Sequence, residues 1–163
     1  MSRLVRKIEK AKWMQIDILH DEDVSADAIT NCLKTTANTL SVWEVGDESL
    51  GSDAVVAMAS HFDCLETIDI VLLCPDALGK AGLEVKPPAG TTALAEFAAN
   101  HCDVVRLTYR RLGELARVIV GEFRADRVQR YTKGQLRTLL RGAVANGRIN
   151  INDLRESVKR KVC

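Results

Sequence analysis

A chain of 163 residues, 47% apolar and 28% charged, is long enough to bury its own core and too apolar to remain disordered. Its purely apolar runs, such as residues 70–74, fall far short of the roughly 20 residues a membrane helix needs, and "MSRLVRKIEKAKW" is charged where a secretory signal needs an apolar stretch. Five cysteines in an odd, irregular set without Cys-x-x-Cys point to reduced thiols in a cytoplasmic setting, not to a disulfide framework.

Taken in chain order, "SRLVRKIEKA" puts Leu4, Ile8 and Ala11 on one stripe and predicts a short amphipathic helix. "WMQIDIL" alternates, with Met14, Ile16 and Ile18 on one face, and predicts a half-buried strand. Ser25 is placed to cap a helix carrying Ala28, Ile29, Cys32 and Leu33, which fades in the β-branched run after Lys34. "LSVWEV" reads as a strand, "GDESLGSD" as a loop, and Ser52 or Asp53 as the cap of "AVVAMASHF". "ETIDIVLLC", β-branched and then continuously apolar, predicts a central strand buried on both faces and closed by Pro75.

The stretch between Pro75 and Pro88 is turn-rich, with "LEV" a short strand at most. Thr91 or Thr92 then caps "ALAEFAAN", and Asp103 caps a long helix, "VVRLTYRRLGELARVIVGEF". Thr132 followed by Gln135 forms a capping box for "KGQLRTLLRGAVA", which Asn146 and Gly147 end. "INDLRESVKRKV" supplies a last helix, capped by Asn150 or Asn152. These elements predict an α+β fold: a small mixed, partly parallel three- to four-stranded sheet flanked by helices, with a helical C-terminal subdomain. The expected boundary separates a core domain, residues 1–122, from a basic segment, residues 123–163.

The net charge of +1 conceals a strong asymmetry. Residues 1–13 carry five bases against one acid, and residues 123–163 carry eleven against three; the span between them has seven bases and eighteen acids. Arg124, Arg127, Arg130, Lys133, Arg137 and Arg141 recur every three or four residues, and Arg155, Lys159, Arg160 and Lys161 extend the stripe. Such a helix pair suits nucleic acid, and it equally suits the chain's own acidic middle or that surface on another subunit.

Chemistry-bearing residues are few. His61, Cys64, His101 and Cys102 nominally supply a zinc tetrahedron, but adjacent ligands such as His101 and Cys102 point apart, and no short-loop ligand pair exists. A thiol nucleophile needs a base beside it in space, which adjacency along the chain does not provide. The competing reading makes His61 and His101 helix-end residues, the two cysteines small hydrophobes, and Asp103 an N-cap. "PPAGTTA" lacks the glycine pattern of a phosphate loop and reads as a capped helix start. The acids Asp17, Asp21, Glu22, Asp23 and Asp27 around His20 read as a solvated loop, and "TTANTLS" as a locally hydrogen-bonded turn.

The expected function is that of a non-catalytic cytoplasmic interaction protein, a regulator, adaptor or inhibitor that docks a protein partner through its segregated charge. Arg130, Lys133, Arg137, Arg141, Arg155 and Lys159 form the candidate binding surface. The alternatives are nucleic-acid binding by the same helices and a thiol- or zinc-dependent enzyme built on His61, Cys64, His101 and Cys102. No cofactor, metal or membrane association is implied, and self-association stays open.

Overall fold

The computed structural model describes residues 2–14, 24–46, 51–87 and 92–162. Six strands form one sheet: β1 (Arg3–Ile8), β2 (Leu40–Val45), β3 (Ile68–Leu73), β4 (Glu84–Lys86), β5 (His101–Val105) and β6 (Val128–Tyr131). Their order is β4-β5-β2-β1-β3-β6, and every pairing is antiparallel. The partly parallel sheet of three or four strands is therefore corrected to a six-stranded antiparallel one, still within the α+β class.

Three misread segments account for the difference. Residues 3–8 form a strand because Leu4 and Ile8, four apart, satisfy a period of two as well as one of 3.6. Val5, buried on the opposite face, settles the matter, since an interior strand needs apolar residues on both sides. Residues 101–105 alternate half-buried and buried, so Asp103 lies mid-strand and the helix begins after Thr108, whose hydroxyl accepts the Arg111 N–H. The "VQRY" of β6 lies in a stretch for which no strand was expected. Only Trp13 and Met14 of the predicted "WMQIDIL" strand are described, and they end helix α1 (Lys10–Met14); the rest, with the acids at 17–23, lies outside the described residues.

Local expectations fare unevenly. Ser25 caps α2 (Ala26–Cys32) through the Asp27 and Ala28 N–H groups. Thr36 and Thr39 exchange backbone hydrogen bonds around Ala37 and Asn38, both at positive φ, which makes the polar run a tight local turn. α3 (Ser52–Ala59) starts from Gly51 instead of a side-chain cap. Gly51 has φ +83, and a Cβ there would stand 2.7 Å from Ile70 Cδ1, so glycine serves both the backbone and the packing. α4 (Pro75–Lys80) opens on Pro75, and residues 95–100 form a 3-10 turn in place of an α-helix. The last helices are α5 (Tyr109–Arg124), α6 (Lys133–Ala145) and α7 (Glu156–Val162); α6 carries the predicted capping box, and a 3-10 turn capped by Asn150 precedes α7.

Helices cover both faces. Val5, Trp43, Ile68, Ile70 and Leu72 pack with α3, α6 and α7, while Leu4, Val42, Val71, Leu73 and Val104 pack with α2, α4 and α5. Leu136, Leu140 and Val158, from the basic C-terminal segment, are buried in the first of these cores, and β6 pairs with β3. Among the described residues no helix is long and apolar enough to cross a membrane.

Candidate functional site

The ladder between β1 and β2 runs only from Arg3↔Val45 to Val5↔Trp43. Beyond that point β1 continues along β3 as far as Ile8↔Asp69, and β2 continues along β5 as far as Leu40↔Val104. The two central strands thus part company, and a cleft of about 420 Å³ opens at the gap. Val5, Trp43 and His101 stand side by side across three strands and line it. Met58, His61 and Phe62, at the end of α3, make one wall, and Asn31 and Cys32, at the end of α2, lie opposite.

Arg6 bridges the gap. Its Nε and Nη2 donate to the Cys32 carbonyl at 3.2 and 2.9 Å, and Nη1 donates to the Ser41 carbonyl at 3.0 Å. The guanidinium thereby caps the C-terminal end of α2, where the helix dipole favours a cation. Burial pulls its pKa down, against a smaller opposing influence from Cys32. The neighbouring charges are already matched: Lys7 Nζ is 3.1 Å from Glu66 and 4.4 Å from the Phe62 ring centre, and Glu9 is 2.8 Å from Lys12.

The structure brings His61 and His101 to this one cleft and leaves Cys64 and Cys102 out of it. Cys64 is exposed on the loop after α3. Cys102 pairs with Val42 on the other face of the sheet, where burial, then Glu44 and Asp103, push its thiol up in pKa, away from the thiolate a nucleophile requires. The cysteine at the cleft is Cys32, whose Sγ accepts the Glu9 N–H at 3.2 Å. Among the described residues no three His, Cys, Asp or Glu side chains are placed to hold a metal. The His101 ring meets Trp43 edge-on at 4.7 Å, and its Nδ1 is buried without a hydrogen-bond partner.

Much of the C-terminal charge is paired within the chain. Arg130 forms a two-pronged pair with Asp69, at 2.7 and 3.0 Å, and Arg127 reaches buried Glu122 at 2.8 Å. Arg148 spans Asp53 and Glu96, and Arg155 lies 3.7 Å from Asp63. Arg141 donates to the Val162 carbonyl, joining α6 to α7, and Lys159 and Arg160 share Glu156. Lys133 and Arg137 remain exposed on α6.

A different surface stands out at the start of α5. Tyr109 is 96% exposed, and Arg106, Arg110 and Arg111 flank it in sequence. Arg110 and Arg111 occupy the first turn of α5, which holds no acid, so they face the positive end of the helix dipole. Arg111 donates to the Arg106 carbonyl, and Arg106 lies 3.3 Å from Glu84. The sequence reading missed this patch by starting the helix at Asp103, which placed "TYRR" mid-helix. The available signal was an aromatic residue among arginines directly after a threonine cap.

Comparison with protein-family models, with characterised proteins and with solved structures found no match to this chain.

Proposed function

We propose that the chain is a non-catalytic binding protein, a cytoplasmic regulator or adaptor, that docks an acidic protein segment on the Tyr109 face of α5. One observation carries this reading: a tyrosine turned almost wholly to solvent beside arginines set against their own helix dipole. Tyrosine and arginine are enriched in protein interfaces and among the few interface residues whose truncation weakens binding tenfold or more. A partner's carboxylate would relieve the unfavourable position of Arg110 and Arg111. Glu84 beside Arg106, and Glu114 3.0 Å from Arg117, break up the uniform positive field that a phosphate backbone prefers. The same reasoning moves weight away from Arg130, Arg141, Arg155 and Lys159, which have partners within the chain, and leaves Lys133 and Arg137 as the outward-facing part of the expected surface.

The test compares a fluorescent glutamate-rich peptide with a single-stranded RNA of similar length, each titrated into the full chain. Peptide binding that falls at least tenfold in both Tyr109→Ala and Arg110→Glu supports the proposal. Preference for RNA with a steep salt dependence, reduced in Lys133→Ala and Arg137→Ala, would replace it with the nucleic-acid reading. Peptide binding indifferent to both α5 substitutions would overturn it.

A further inference from the structure

The cleft between β1 and β2 holds a second, independent signal, centred on Arg6. A cation partly withdrawn from water is normally matched by an anion, because neutral dipoles only partly replace the water it has lost. The neighbouring charges follow that rule, Lys7 with Glu66 and Glu9 with Lys12. Among the described residues Arg6, which is half-buried, does not: its hydrogen bonds go to the carbonyls of Cys32 and Ser41. Those bonds use three of the five N–H donors a guanidinium carries, and two are left over. They also hold the group still, so that an arriving acid meets a cation already in position.

The surroundings of that cation suit a small molecule better than an ion alone. A volume of about 420 Å³ lies within the roughly 300–1,000 Å³ of ordinary ligand sites. Flat rings supply much of the wall: Trp43 on the floor, His101 edge-on to it, and Phe62 beside it. The cleft exists because the β1–β2 ladder stops at Val5↔Trp43, so opening it needs no movement of packed core.

We infer that this gap is a binding site for a small carboxylic acid with a flat, ring-bearing body, its carboxylate on Arg6 and its ring against Trp43 and Phe62. The site lies away from the Tyr109 face, and neither reading depends on the other. Carboxylate and guanidinium match in planar geometry, and two free donors allow a two-pronged contact. His61, exposed at the rim, stands where it meets the entering acid.

Isothermal titration and backbone-amide NMR with 2-naphthoate as the probe test this on the full chain. 2-Naphthylmethanol, which keeps the ring, and acetate, which keeps the carboxylate, serve as controls. Naphthoate is expected to bind at least tenfold tighter than either control, with shifts concentrated at residues 5–9, 41–43 and 101. Arg6→Gln, checked for folding by circular dichroism, is expected to remove that advantage over naphthylmethanol. Should Arg6→Gln not fold, the wild-type comparison and the shift map decide. Equal affinity for naphthoate and naphthylmethanol, or shifts centred elsewhere, would overturn the assignment, as would a folded Arg6→Gln that binds like wild type.

Discussion

Asp69 shows how a single side chain organises its surroundings. It is buried in β3, accepts two hydrogen bonds from Arg130, and takes the Lys10 N–H at 3.0 Å. Burial pushes its carboxyl upward, but the Arg130 hydrogen bond, the Lys10 N–H and the positive charge of both residues outweigh it and hold the pKa below the usual carboxylate value. A depressed folded-state pKa stabilises the fold above the unfolded value, near 4, and that contribution disappears as pH falls through the folded one. Asp69→Asn is therefore expected to lower the melting temperature at pH 7 and to flatten its decline below about pH 4. Melting curves from pH 7 to 2.5 check this, and a variant retaining the wild-type acid slope would refute it. Cys102 teaches the opposite lesson at the same scale: it stands next to His101 along the chain, yet strand alternation turns the two side chains to opposite faces.

Elements with a local signature were legible. The box at Thr132 and Gln135 is closed by both reciprocal bonds, the Gln135 N–H to Thr132 Oγ1 at 3.3 Å and the Thr132 N–H to Gln135 Oε1 at 2.8 Å. Thr132→Ala is expected to cost about 1 kcal/mol, read as a shift in urea midpoint with unchanged slope. Ser25, the β2 and β3 strands and the Asn146–Gly147 helix end were readable for the same reason, since caps and apolar runs act within a few residues. β1 and β5 were not, because spacings of three and four suit a helix stripe and because strand partners are distant in sequence. β6 was invisible: four mostly polar residues become a strand only when β3 offers its edge, with Arg130 on Asp69 as the pin.

At the scale of the molecule, charge segregation along the chain becomes charge matching in space. Arg127, Arg130, Arg148 and Arg155 each meet an acid from the middle span, at Glu122, Asp69, Asp53 with Glu96, and Asp63. The two cores share one sheet, and the α3-side core draws on residues from 5 to 162. Thermal unfolding of the whole chain is accordingly expected as a single transition, the same by near- and far-ultraviolet circular dichroism. A chain ending at Glu122 would lose Leu136, Leu140 and Val158 from that core and is expected not to melt cooperatively. Two separate transitions, or a cooperatively folding fragment, would count against this coupling.

The sequence alone determined what short-range physics decides: an apolar content sufficient for a core, the helix caps at Ser25 and Thr132, the two most apolar strands, and a polarity excluding long membrane helices from the described residues. Only the tertiary structure decided which surfaces remain open. Whether an arginine is a structural clamp or an exposed contact depends on which carboxylates the fold brings within about 4 Å, and sequence spacing carries no record of that. Arg130 and Arg110 look alike along the chain, yet one is paired with a buried aspartate and the other faces solvent at a helix start. The histidines were noticed for their cysteine neighbours. What unites them is a gap between two strands, which only the pairing of the whole sheet could open.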